Sequence, residues 1–205
     1  MMLPTHVLAG MLLAAPLVRV APELATVGFV AGFLGGLFPD LDMYTGHRRA
    51  LHYPVYYSAL AGIALVVALA APSAVTVAAA LFLLGAALHS VSDVHGGGLE
   101  LRPWEGNSDR AVYDHYRKRW VAPRPGVRYD GAPEDLALAV GLALPLLALT
   151  GGALRLVVVG TLLVAAAYTA LRRHLAELAA LVIPLVPAAL TPYLPDRYAD
   201  EEPRE

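Results

Sequence analysis

Seven apolar runs, separated by short polar breaks, organise this chain: 7–20, 24–38, 55–71, 75–91, 136–150, 154–171 and 175–194. They are rich in Ala, Leu and Val and lack the strict polar alternation of half-buried strands, so the pattern predicts helices. Several are shorter than the ~20 residues that span a bilayer comfortably. Extension by flanking residues, or local thinning of the bilayer, lets such runs cross. The first pair is the weakest, because Pro16 and the break at 19–23 favour a tight hairpin. The expected fold is all-α: a polytopic membrane helical bundle of six to seven transmembrane helices. The expected domain is a single one over 1–194, followed by an acidic tail over 195–205.

The polar segments add detail. His95-Gly96-Gly97-Gly98 reads as the end of the fourth helix, since glycine commonly follows a helix C-terminus. Ala132-Pro133-Glu134-Asp135 reads as the start of the fifth, where proline and acids suit a first turn. Between them, 113–120 mixes basic and aromatic residues, which suits an interfacial amphipathic helix or a solvated loop. Pro184 and Pro187 predict a kink or re-entry in the last run.

Composition supports a membrane. The chain is 58% hydrophobic with mean hydropathy +0.58, too apolar for an ordinary soluble bundle. With the N-terminus cytoplasmic and all seven runs crossing, loops 39–54 and 92–133 and the short segment Arg172-Arg173-His174 share the cytoplasmic face. Eleven of the 15 Arg and Lys then lie there, which favours N-in and C-out in the cytoplasmic (inner) membrane. Re-entry of the last run would instead leave Asp200, Glu201 and Glu202 cytoplasmic. The start of the chain lacks a basic n-region and a small-residue cleavage site, so the N-terminus is expected to be retained. A net charge of −2 offers no basic excess for phosphate backbones, and nucleic acid is not an expected partner. With no cysteine, any metal must be held by His, Asp, Glu or water.

Connectivity then brings four polar groups to one membrane face. His6 follows Thr5 at the start of the first helix; Asp40 and Asp42 follow Pro39 at the end of the second. His47 and His52 flank Arg48 and Arg49 in the next loop, and His89 and Asp93 lie four apart at the end of the fourth helix. An i,i+4 pair sits on one helix face. Imidazole and carboxylate are costly beside hydrocarbon, so their gathering there calls for a function. Bland readings exist for each: a salt-bridged turn at Asp40-Leu41-Asp42, a positive-inside loop at Arg48-Arg49, a hydrogen-bonded pair at His89 and Asp93.

Taken together, a His/Asp set without thiolates suits zinc, manganese or iron, as one or two ions, with zinc foremost. The sequence leaves open which of Asp40 and Asp42, and of His47 and His52, touch the ion. Asp42 or Asp40 is a candidate general base, and Arg48 a candidate clamp for phosphate oxygens. The chemistry that follows is hydrolysis of a phosphoester in a small molecule or a membrane lipid.

These motifs resemble the family of LexA-regulated, membrane-bound, predicted metal-dependent hydrolases typified by YdjM. The resemblance rests on Thr5-His6, Pro39 to Asp42, His47-Arg48 with His52, and His89 to Asp93, in order, over about the first hundred residues. It departs after the second loop histidine, where Tyr53-Pro54 stands in place of Ser or Thr. The order also looks like the zinc-dependent phospholipase C and single-strand nuclease superfamily. That likeness implies Asp93 bridging two ions, with His6 completing one site and Asp40, His52 and His89 the other. The further His-x-x-x-Asp or His-x-x-x-Glu that would hold a third ion does not occur among His95, His115 and His174.

Two non-enzymatic classes compete: a metal transporter or sensor, and a structural membrane protein with paired polar helix ends. Ligands at helix ends, away from the midplane, disfavour conduction. A serine esterase is excluded, since His95-Gly96-Gly97-Gly98 has no Gly-x-Ser-x-Gly elbow to accompany it.

Overall fold

The computed structural model describes residues 1–187, 189–194 and 198; apart from Tyr198, the acidic tail at 195–205 lies outside them. The helices are α1 (Leu3–Leu12), α2 (Leu17–Val20), α3 (Pro22–Leu37), α4 (Pro54–Ala70), α5 (Ala74–Ser92), α6 (Pro133–Leu149) and α7 (Gly152–Val182). Short 3-10 turns extend α3 through Phe38–Asp42 and α5 through Asp93–His95. The start signals are local. Proline occupies the first turn of α1, α3, α4 and α6, where its missing N–H costs nothing. At the head of α5, Ser73 Oγ accepts from Thr76 N (3.2 Å) while Thr76 Oγ1 accepts from Ser73 N (3.0 Å), a reciprocal capping box.

Among the described residues, four stretches are long and apolar enough to cross a membrane: Leu3–Val20, Pro22–Asp42, Ala74–His95 and Gly152–Leu185. Helices α4 and α6 have 17 residues each, about 26 Å of helix, and fall short of the ~30 Å hydrocarbon core.

One expected break is absent. Arg172-Arg173-His174 forms no loop between two runs; α7 passes through it without interruption. Its physical basis is a buried pair: Arg172 Nη2 donates to Asp130 Oδ1 (3.1 Å) and Nε to Asp130 Oδ2 (3.2 Å), and the Tyr168 hydroxyl donates to the same Asp130. Arginine is itself a good helix former, and the Asp130 partner offsets the cost of burying its charge, so the helix carries it through. From Gly152 to Arg172 the helix rises about 30 Å, as much as one bilayer core is thick, and Thr169 near its far end reaches Met2 at the start of α1. Helix α7 ends at Val182, two residues short of Pro184.

The core lies where α1, α3 and α5 meet, around Leu8, Met11, Phe29 and Leu81. These helices approach backbone to backbone. A Cβ at Gly32 would lie 2.1 Å from Gly10 O, and one at Gly36 would lie 2.5 Å from His6 O. Small residues are how apolar helices pack without a hydrophobic drive. The stripe Gly28, Gly32, Gly36 on α3 is the signal for it in the sequence.

The segment 113–120 is also corrected: it is neither a helix nor an open loop. Val112–Asp114 (β1) pairs antiparallel with Arg119–Val121 (β2), with Tyr113 opposite Trp120. Their rings meet edge to face at 5.5 Å, a cross-strand contact that favours pairing. Asp114 Oδ1 accepts from Tyr116 N (2.9 Å) and Arg117 N (3.0 Å), closing the turn, and Lys118 takes a left-handed φ of 53°. Such a side-chain-capped turn competes directly with helix.

Candidate metal centre

All four sequence segments meet at one end of the bundle. At its centre stand Asp40, His52, His89 and Asp93, whose ligand atoms lie within 4.8 Å of one another; this cluster could hold a metal ion. Nε2 of His52 lies 3.5 Å from Asp40 Oδ1 and 3.2 Å from Asp93 Oδ2, and Nε2 of His89 lies 3.2 and 3.4 Å from the same two oxygens. Yet none of these contacts is aligned as a hydrogen bond. Among the described residues, the Nε2 atoms of His52 and His89 and Oδ2 of Asp93 are buried without a hydrogen-bond partner. Buried polar atoms are rarely left so. Ligands about 2.0–2.2 Å from one ion stand about 3.3–3.6 Å apart when tetrahedral, a factor of about 1.63. The four histidine–carboxylate separations, 3.2 to 3.5 Å, are close to that spacing, so the donor set fits a divalent ion.

Both histidines are set for it by their other nitrogen. His89 Nδ1 donates to the main-chain carbonyl of Gly36 (2.6 Å). A carbonyl only accepts, so the proton of neutral His89 sits on Nδ1 and Nε2 carries a lone pair. His52 Nδ1 donates to Asp42 Oδ2 (2.9 Å) with the same result. Asp42, fully buried, also accepts from Leu51 N at Oδ2 (3.0 Å) and from His47 Nδ1 at Oδ1 (3.1 Å). Asp42 thus stands behind the cluster and orients His52, and Asp40 faces the open nitrogens.

His6 supports the cluster from α1. Its Nε2 donates to Asp93 Oδ1 (3.0 Å), and its ring stacks on His89 with centroids 3.7 Å apart. Thr5 turns the other way and donates to Asp135 Oδ1 (2.6 Å), tying α1 to α6. His47 lies beside the cluster, 3.8 Å from Asp40 Oδ1 through Nδ1.

Arg48 is buried, with a left-handed φ of 59°. Its Nη1 donates to Gly97 O (2.9 Å) and Ala111 O (3.3 Å), and Nε lies 3.6 Å from Asp93 Oδ2. Burial works against its charge, but Asp93, Asp130 and Asp40 outweigh that and raise its pKa above the usual arginine value. For His52, burial lowers proton affinity, and the carboxylates of Asp40, Asp42 and Asp93 reverse this, raising its pKa to about 10 without metal.

Part of this architecture carries no motif in the sequence. The β1–β2 hairpin fastens the loop that carries His47 and His52: Tyr113 N donates to Arg48 O (3.0 Å), and His115 Nε2 donates to Arg49 O (2.7 Å). The His115 ring stacks on Tyr53 (4.3 Å), and Arg49 lies over Tyr113 (4.7 Å). Gly97, in the glycine run that resembles an oxyanion-hole motif, serves through its carbonyl as a seat for Arg48. A cavity of about 520 Å³ opens beside the cluster, with Asp40, His47 and Arg48 in its wall.

No protein-family model, no curated protein and no solved structure matches this chain.

Proposed function

We propose that this protein is a membrane-bound, metal-dependent hydrolase of the YdjM-like kind, acting on a phosphoester at the cytoplasmic face. The single observation that carries the reading is the convergence of two histidine nitrogens and two carboxylate oxygens within 4.8 Å of one another, each histidine held by an acceptor at Nδ1. Two imidazoles and two carboxylates in that arrangement favour zinc, with manganese or iron next. Asp40, His52, His89 and Asp93 hold the ion, and His6 and Asp42 fix the orientation of Asp93 and His52. When bound, a divalent ion supplies Lewis-acid activation of water and of the scissile oxygen.

The chain's own residues supply the rest. Asp42 Oδ1 holds Nδ1 of His47, which lines the cavity, so His47 is poised to exchange a proton at Nε2. Arg48 presents a fixed positive charge at the cavity wall, where a phosphoryl group gains negative charge. The arginine-rich loops at this end support the cytoplasmic orientation. With α4 and α6 crossing as short spans, α1–α2 as one and α3, α5 and α7 as the others, the bundle has six.

The test is elemental analysis of detergent-purified protein beside His89→Ala and Asp93→Ala, followed by a screen of phosphate mono- and diesters. The expected result is one or two equivalents of zinc, manganese or iron in the wild type, lost in both variants, with hydrolysis lost in parallel. Metal without turnover of any phosphoester would reduce the protein to a metal-binding one. No metal after reconstitution would leave only a polar helix-end network.

A further inference from the structure

The cavity beside the cluster has two unlike ends. Asp40, His47 and Arg48 line it near the metal ligands, and the rest of the wall is largely apolar. That apolar part runs between α3, through Phe33 and Leu37, and α7, through Val157, Gly160 and Val164. On α7 the lining extends from Val157 to Tyr168, eleven residues or about 16 Å of helix. This is about half of a ~30 Å hydrocarbon core, the depth of one leaflet. Its direction is fixed as well: Tyr168 and Asp40 lie at the site end, and Val157 and Phe33 lie deeper in the spans.

Two cavity residues are also substantially exposed, Val157 at 39% and Val164 at 60%. They sit in a helix long and apolar enough to cross a membrane, so the medium beside them is hydrocarbon. A volume of about 520 Å³ is that of a ligand pocket and exceeds a packing defect.

We infer that this cavity takes one acyl chain of a membrane lipid, admitted sideways past Val157 and Val164, so that the substrate of the proposed hydrolase is a lipid whose headgroup phosphoester lies at Asp40 and Arg48. The inference rests on the proposed function for what happens at the headgroup, and on the cavity alone for the chain. A soluble phosphoester has no use for an apolar slot one leaflet deep. A chain standing in its own leaflet fills the slot and places its polar end at the ligands.

Gly160 gives the test a handle. It lines the cavity and a Cβ built there meets nothing within 4 Å, so Gly160→Phe directs its ring into space that is open at its first atom. Val164→Trp, at an exposed position, does the same from the entrance. The probe is phosphatidic acid with a mid-chain diazirine, incorporated in nanodiscs with wild type and each variant, followed by peptide mapping and metal analysis of the same samples. The expected result is label on Phe33, Leu37 and the 157–164 stretch of α7, reduced at least tenfold by both substitutions at unchanged metal content. Label spread over the outer faces of α4 and α7, equal in all three proteins, would overturn the acyl site. The two readings fail separately. A metal-free wild type that labels in the cavity sinks the hydrolase and keeps the acyl site. A metal-loaded wild type whose labelling ignores both substitutions does the reverse.

Discussion

Asp42 accepts a hydrogen bond from His52 Nδ1 at 2.9 Å, and that bond directs His52 Nε2 between Asp40 and Asp93. The carboxylate touches none of the four converging atoms' open sides, yet it decides which nitrogen of His52 is available.

Asp42→Asn keeps the shape and removes the charge. The amide presents a donor as well as an acceptor to His52, which loosens its tautomer and orientation. Losing such an outer partner typically costs 10–100-fold in metal affinity. Competition against a chromophoric chelator should show a weakening of about that size with the fold intact by circular dichroism. Unchanged affinity would assign Asp42 a purely structural part.

Proton release should accompany metal binding. His52 holds its proton up to about pH 10 in the metal-free protein, against an ordinary value of 6.5. Its pKa is raised on folding, so its contribution to metal-free stability is complete below about pH 6.5 and disappears as pH rises through about 10. Metal needs the deprotonated nitrogen, so apparent affinity should climb by up to about tenfold per pH unit across that window. Calorimetry at pH 7.5 in buffers of differing ionisation enthalpy should report at least one proton released per ion. Zero release would mean that His52 is neutral before the ion arrives, or never binds it.

Gly36→Ala tests the packing under the site. The added methyl would lie 2.5 Å from His6 O, so α1 must move away from α3. Overpacking of this kind costs about 1–3 kcal/mol. The shift also disturbs Gly36 O, which accepts from His89, so metal content should fall although no ligand is changed. Unfolding in detergent and elemental analysis of one preparation would check both. A stable, fully loaded variant would show that α1 can move away freely.

Parts of this arrangement are legible in the residues themselves. His89 and Asp93 share a face because a helix fixes the direction of positions four apart, whatever surrounds it. Alternation of spans brings the ends of α3 and α5 together for the same reason. Membrane character is read from mean hydropathy, and among the described residues four helical stretches have the required length. The choice between Asp40 and Asp42 was not readable. Both lie in one 3-10 turn, where two residues along the chain point about 120° apart, so the two carboxylates fall on different sides and only packing decides which one faces the histidines.

Arg172 misled because three consecutive polar residues resemble a loop; the partner that keeps them in a helix, Asp130, is 42 residues away. The hairpin at 112–121 was hidden in a segment whose basic and aromatic residues suit several conformations. Its deciding contacts, Asp114 to its own turn and Tyr113 N to Arg48 O, depend on geometry that composition does not encode.

The bond from His89 to Gly36 O has a consequence for the birth of the protein. Asp40 and His52 emerge from the ribosome well before His89 and Asp93, and the carbonyl that sets His89 exists only once α3 lies against α5. No stretch of the nascent chain presents the full cluster. An ion bound there would need a chain whose helices have already packed, so loading would mark the end of assembly rather than its start.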